Sequence, residues 1–275
     1  MTNKGCIGVF DSGYGGLTVL KEIIKQLPQY SYMYLGDNAR APYGPRSFET
    51  VYQYTLQSVN WFFNRGCSLV ILACNTASAK ALRSIQQKDL PTIAPHKRVL
   101  GVIRPTTEVI GQFTKTNKVG ILGTSGTVLS NSYPIEIAKF YPSIQVYQEA
   151  CPMWVPLIEN KEFDSEGANF FIHQNLKQLF SNDSAIDTLL LACTHYPLLI
   201  DKLKQFTPPN VAIISQGEIV AKSLAAYLQR HPEIENKCLQ NSTIEFYTTD
   251  NNVEFDEKAT LFWGNKIKSK HTILQ

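Results

Sequence analysis

The sequence predicts an α/β fold of two similar halves, each a mostly parallel sheet flanked by helices, with the working site in the cleft between them. Three observations carry that prediction. Short apolar runs alternate with amphipathic helical stretches along the chain, which is the pattern of strand–helix–strand units. Two of the runs end alike: Leu69–Leu72 leads into Ala73-Cys74-Asn75-Thr76, and Leu189–Leu191 into Ala192-Cys193-Thr194-His195. An earlier strand in each half ends in a small hydroxylated turn, Asp11-Ser12-Gly13 in one and Gly123-Thr124-Ser125-Gly126-Thr127 in the other. Strands of an open parallel sheet present their carboxyl ends to the ligand crevice, so one thiol is offered from each half.

The elements follow in order. Ile7–Phe10 is a short buried strand, and Leu17–Leu27 is an amphipathic helix with Leu17, Leu20, Ile23, Ile24 and Leu27 on one face and Pro28 as its stop. Tyr32–Leu35 is the second strand, followed by an irregular loop through Asp37, Pro42, Tyr43, Gly44 and Pro45. Ser47 caps a helix running to Arg65, with Gly66 suited to a left-handed exit. Trp61, Phe62 and Phe63 on that helix read as core and interdomain packing. The Cys74 strand and a helix through Ala77, Ala81, Leu82 and Ile85 close the first half.

The pattern then restarts with strands at Val99–Ile103, Val119–Leu122 and Ile144–Tyr147, a helix around Phe170–Phe180, and the Cys193 strand. After Pro208-Pro209 come a strand at Val211–Ser215, a helix at Ile219–Arg230, a strand at Thr243–Thr248 and a closing helix at Val253–Phe262. This tail is too short for a third domain and reads as returning to the first. Residues 1–97 plus 209–275 are therefore the expected first domain, carrying Cys74, and residues 98–208 the second, carrying Cys193.

The 275-residue chain is 44% hydrophobic and 18% charged, ordinary for a globular protein. Its formal charge of +3 is spread along the chain, so there is no basic block of the kind nucleic acid attracts. No apolar run approaches the roughly 18 residues that span a bilayer. Met1–Gly5 enters an apolar run too short for the core of a signal peptide. A cytoplasmic protein with a small-molecule substrate, and no nucleic-acid or membrane partner, is expected. The six cysteines never form C-x-x-C, which argues against a disulfide framework. Cys6 and Cys67 begin apolar runs and read as core; Cys238, in a polar stretch, reads as incidental.

Two thiols facing one cleft suit the removal of a proton from one face of a carbon acid and the return of a proton to the other. One is then a thiolate base while its partner is the acid. Asp11 and His195 are candidates for proton management beside the thiols, and Ser12, Asn75, Thr76 and Thr194 are donors for an amino acid's carboxylates. Other readings stand beside this one. Cys74, Cys193 and His195 are a conceivable zinc set without the usual close ligand pairs. Cys193 with His195 is a conceivable nucleophile pair. His195 alone is also what a hydrogen-bonded structural histidine looks like, and Asp11 what a turn cap looks like. Gly13-Tyr14-Gly15-Gly16 lacks the Gly-Lys-Ser/Thr ending of a phosphate loop and reads as a tight strand-to-helix turn.

The ordered set Phe10-Asp11-Ser12-Gly13-x-Gly15-Gly16-Leu17, Gly36-Asp37, Pro42-Tyr43-Gly44, Ala73-Cys74-Asn75-Thr76-Ala77, Gly123-Thr124-x-x-Thr127, Ala192-Cys193-Thr194-His195-Tyr196-Pro197 and Phe246–Asp250 closely resembles the bacterial glutamate racemases of the aspartate/glutamate racemase superfamily. The resemblance implies two pseudo-symmetric α/β domains and a racemase without cofactor or metal, interconverting L- and D-glutamate and supplying D-glutamate for peptidoglycan synthesis. It implies Cys74 and Cys193 as the paired bases, with Asp11, His195 and Glu159 assisting. It implies substrate binding by Asp11, Ser12, Tyr43, Gly44, Asn75, Thr76, Thr124, Thr127, Thr194 and His195. A homodimer is left open. The chain departs from the family's usual pattern at Arg104-Pro105-Thr106 and Ser215-Gln216-Gly217, neither of which touches the thiol pair.

Overall fold

The computed structural model describes residues 4–274. Met1–Asn3, which the N-terminal reading included, lie outside the described residues. Among those described, every strand pairing is parallel and the strands form two sheets. The strands are β1 (Ile7–Asp11), β2 (Tyr32–Gly36), β3 (Leu69–Leu72), β4 (Arg98–Gly101), β5 (Lys118–Gly123), β6 (Gln145–Ala150), β7 (Thr188–Ala192), β8 (Ala212–Ile214), β9 (Ile244–Thr248) and β10 (Ser269–His271). One sheet has the order β10-β9-β2-β1-β3-β4 and the other β6-β5-β7-β8.

The second order repeats part of the first. Replacing β5, β6, β7 and β8 by β1, β2, β3 and β4 turns β6-β5-β7-β8 into β2-β1-β3-β4. Each half is thus a doubly wound unit whose strand order reverses between its first and third strands. Such a reversal splays the connections apart and opens a crevice at the strands' carboxyl ends. Asp11 ends β1 and Cys74 follows β3 by two residues; Thr124 follows β5 and Cys193 follows β7. Both thiols lie at these switch points.

Two strands belong to the other sheet from the one the chain order suggests. The strand read at Val99–Ile103 is β4, which pairs with β3 in the first sheet. It also stops at Gly101, because Ile103 opens a helix to Thr107. The strand read at Val211–Ser215 is β8, which pairs with β7 in the second sheet. Each is the fourth strand of its unit, and its partner is the strand that carries the thiol. The tail crosses back only after β8: β9 pairs with β2, and β10 adds a further strand beyond it.

The local signals behave as their chemistry dictates. Helix Gly16–Gln26 buries Leu17, Leu20 and Ile23 on one face. Ser47 Oγ accepts from Thr50 N at 3.1 Å, satisfying one of the free amides at the start of helix Phe48–Asn64, and Gly66 leaves it at φ +85°. Trp61, Phe62 and Phe63 are buried in the core of the first sheet rather than between the halves, with Trp61 Nε1 donating to Thr272 Oγ1 at 2.8 Å. Cys238 is 1% exposed and packed in the core, not incidental, because the chain doubles back there beside Gly5. No helix among the described residues is long and apolar enough to cross a membrane.

Asp187 locks the entry to β7. Its carboxylate accepts from Thr114 Oγ1 at 2.6 Å, Lys115 N at 2.7 Å and Thr116 N at 2.9 Å. Burial alone would raise its pKa, but these donors hold it down at about 2. A carboxyl depressed in the folded state contributes stability above its unfolded value near about 4, and that contribution is lost as pH falls through about 2. An Asp187→Asn variant should therefore lose stability less steeply than wild type between about pH 4 and 2, measured by denaturant unfolding at each pH.

Candidate active site

The first half supplies Asp11, Ser12, Cys74, Asn75 and Thr76. Cys74 is the N-cap of helix Asn75–Lys80, and its sulfur accepts from Ala77 N at 3.4 Å. Ser12 Oγ stands 3.5 Å from the same sulfur. Burial is the main influence on this thiol, and with the nearby Asp11 charge it pushes the pKa up to about 12, against the opposing pull of Ser12 and the Ala77 amide. Charge on Cys193 also opposes ionisation of Cys74. Asp11 is itself 1% exposed, accepting from Gly13 N at 2.9 Å and Thr194 Oγ1 at 3.3 Å. Burial holds its carboxyl above the ordinary range, although the His195 charge and the donors around it pull the other way.

The second half supplies Thr124, Thr127, Cys193, Thr194 and His195. Cys193 Sγ is 3.9 Å from His195 Nδ1, and His195 Nε2 is 2.8 Å from Glu159 Oε1 at the end of helix Trp154–Glu159. Burial alone would lower the His195 pKa, but its hydrogen bonds to Cys193 and Glu159 outweigh that and raise it to about 10. These partners favour the protonated ring. Phe262, from the closing helix, packs against the His195 ring in a T-shaped arrangement with centroids 5.0 Å apart.

A hydroxyl cluster bridges the halves. Thr76 Oγ1 lies 2.9 Å from Thr124 Oγ1 and 3.4 Å from Thr127 Oγ1, and Thr124 caps its own short helix by accepting from Thr127 N at 3.2 Å. Gly44 lies against Thr124, so a side chain there would crowd it. Tyr43 reaches the site differently from the way a substrate ligand would. Its ring is buried, and its hydroxyl donates to Asp37, which also accepts from Arg40 Nε at 2.7 Å and Thr249 Oγ1 at 2.8 Å. Tyr43 anchors the loop, and the loop's backbone at Gly44 is what meets the cleft.

The residues singled out from the sequence thus come together, Glu159 included. The seam between the halves is nearly shut: Cys74 and Cys193 are each 6% exposed. A cavity of about 930 Å³, lined from both halves by residues such as Ser78, Leu82, Ser132 and Ile135, includes neither thiol in its lining. Among the described residues no three His, Cys, Asp or Glu side chains converge as a metal site would.

The model of the Asp/Glu/hydantoin racemase family matches residues 7–224. The chain is 42% identical to the glutamate racemase of Listeria innocua over 229 residues, 83% of each chain. The chain belongs to the glutamate racemase family. Among solved structures it is similar to glutamate racemase isoform RacE1 of Bacillus anthracis, with 36% identity, 98% of each chain covered and a TM-score of 0.88. It is similar also to the glutamate racemase of Francisella tularensis in complex with D-glutamate, with 30% identity, 98% of each chain covered and a TM-score of 0.87. Membership makes the chain a racemase enzyme and fits the two-unit α/β architecture.

Sequence reading missed three side chains around this racemase site. Asp37 stood inside a quoted motif without a role, although an acid next to a Pro-Tyr-Gly loop is a natural anchor. Phe262 read only as part of a closing helix. Tyr133 carried no local signal at all; its hydroxyl donates to Asn75 Oδ1 at 2.6 Å across 58 positions of the chain.

Proposed function

We propose that this chain interconverts L- and D-glutamate by proton transfer at the α carbon between Cys74 and Cys193, without cofactor or metal, and so supplies D-glutamate for peptidoglycan synthesis in the cytoplasm. One observation carries the reading: each of two related sheets delivers a thiol at its switch point, and the two thiols have different proton-handling partners. The D-glutamate seen with the Francisella relative supports the substrate. A Cys–His nucleophile would need only the Cys193 side and leaves Cys74 without a use.

In this reading L-glutamate loses its α proton to the Cys193 sulfur, and the Cys74 thiol delivers its own proton to the opposite face. The reverse direction begins with Cys74 as thiolate. The bond broken and the bond formed are both C–H, so each turnover leaves the two sulfurs with exchanged protonation. Burial and the Asp11 charge favour Cys74 as the thiol, and His195 Nδ1 stands 3.9 Å from the Cys193 sulfur. Ser12, Asn75, Thr76, Thr124, Thr127 and Thr194, with the amides of their turns, are suited to hold the carboxylates and the charge that develops on proton loss. Glu159 holds the His195 ring, and the Tyr43 loop presents Gly44. We also propose that the two sheets are two domains which separate to admit substrate, since both thiols are buried. Divided by sheet membership, β4 falls to the first domain and β8 to the second, so the joins fall after Gly101 and after Ile214.

The test is circular dichroism of L-glutamate incubated with metal-free, pyridoxal-free protein in deuterated buffer, read with mass spectrometry. Loss of optical activity with one deuterium gained is the expected result. No change with either enantiomer would overturn the reading. A further expected result concerns Gly15, where a Cβ would collide with Thr194 Oγ1 and His195 Nδ1. Gly15→Ala should lower kcat/KM by about 10²-fold, because the ring beside the thiol must move. Steady-state kinetics on the folded variant checks this.

A further inference from the structure

A closed ring of buried hydrogen bonds lies directly behind Cys74. Asn75 Nδ2 donates to Gln216 Oε1 at 2.7 Å, Gln216 Nε2 donates to the Tyr133 hydroxyl at 2.7 Å, and that hydroxyl donates to Asn75 Oδ1 at 2.6 Å. Asn75, Gln216 and Tyr133 are 2%, 4% and 0% exposed. Gln216 Nε2 also donates to Thr106 Oγ1 at 3.0 Å and lies 3.2 Å from the Val102 carbonyl. The three side chains come from separate segments: the first residue of helix Asn75–Lys80, helix Ser132–Phe140 of the second half, and the turn between β8 and helix Gly217–Arg230.

The direction of the ring has a consequence. Gln216 Nε2 also donates to the Val102 carbonyl, which can only accept, so the Gln216 amide cannot turn over; turning over the Asn75 amide alone would set its Oδ1 against Gln216 Oε1 and leave the Tyr133 O–H without its acceptor. In a site this dry each such mismatch is costly, so the Asn75 amide has one orientation. The ring uses one of its two N–H groups and leaves the other. It also ties the residue adjacent to Cys74 to an element of the other half.

We propose that Gln216, acting with Tyr133 through this ring, is a positioning residue for racemisation: it fixes the Asn75 amide for the substrate and holds the Cys74 turn in register with the second half. The proposal rests on the reading of Asn75 as a substrate ligand and Cys74 as a proton-transfer group. Gln216 touches neither substrate nor thiol and acts through Asn75. Satisfying a buried glutamine for stability alone would require the same bonds, so the test must separate the two roles.

Gln216→Met keeps the length of the side chain and removes its amide; Tyr133→Phe removes only a hydroxyl and keeps the proposal testable where the first variant folds poorly. Melting temperature is recorded alongside KM and kcat for D-glutamate. Each single variant should raise KM about tenfold and lower kcat/KM by about 10- to 100-fold, because a ligand that has lost its orientation weakens binding and alignment together. The double variant should be no worse than the poorer single one, since either change opens the same ring. Unchanged KM with only a lowered melting temperature, or single effects that multiply in the double variant, would overturn the proposal. A wild-type protein that fails to racemise glutamate overturns the underlying reading, and this one with it. Active wild type with kinetically normal variants overturns the ring alone.

Discussion

Cys193→Ser should racemise glutamate about 10³-fold more slowly than wild type, and Cys74→Ser should fall as far. The physical reason is acidity. A free thiol ionises near about 8.5, and even pushed up by burial, as at Cys74, it remains far more acidic than a serine hydroxyl, which does not ionise in any accessible range. A hydroxyl at either position can neither take the α proton nor exist as the anion its partner must regenerate. In the proposed mechanism one turnover uses both sulfurs, so the two substitutions should have similar effects on the racemisation rate, and combining them should add little. Both thiols are buried in tightly packed surroundings, and exchange of sulfur for oxygen is nearly isosteric, so the variants should keep the wild-type melting temperature within a few degrees. Polarimetry or circular dichroism from each enantiomer gives the rate. A Cys193→Ser protein that racemises at the wild-type rate would sink the two-thiol mechanism and leave Cys74 as a lone base.

His195→Asn is the second large effect, with kcat expected to fall about 10²-fold. Asparagine keeps a polar group near Cys193 but cannot carry the positive charge that an imidazolium places 3.9 Å from the sulfur. The same residue leaves a signature in stability. Its pKa is raised to about 10 in the folded protein, against about 6.5 when unfolded. Its contribution is therefore fully present below about pH 6.5 and is lost as pH rises through about 10. Denaturant unfolding should show wild type losing stability across that window. In His195→Asn this part of the alkaline loss should be absent. The groups around the ring are the Cys193 sulfur, the Glu159 carboxylate, the Asp11 carboxylate whose charge it feels, the backbone at Gly15 and the T-shaped Phe262 ring. Glu159→Gln should reproduce part of the effect, since the ring keeps a hydrogen-bond acceptor and loses a charge. Equal alkaline sensitivity in wild type and His195→Asn would remove the imidazolium from the mechanism.

The sequence by itself determined the elements whose signals are local. The apolar runs that became β1, β3 and β7 announce themselves by composition. The Ser47 cap and the Gly66 exit each act within four residues. The paired Ala-Cys strand ends made the two thiols legible together, because their polar neighbours are adjacent in the chain. Glu159 was legible only through the family resemblance, and what makes it part of the site is a contact to His195 across 36 positions.

Only the tertiary structure decided which strands pair. β4 and β8 look, in chain order, like the start of the next unit, yet each completes the unit before it, because strand pairing is a choice among long-range partners that periodicity does not encode. The polar ring is the clearest case. Gln216 lies 141 positions from Asn75, and in the sequence it is one glutamine at the start of a helix. Its meaning comes from the fold. Burial removes water as a competing partner, and three side chains from three segments are then left to satisfy one another, in the direction that the Val102 carbonyl beside Gln216 Nε2 selects.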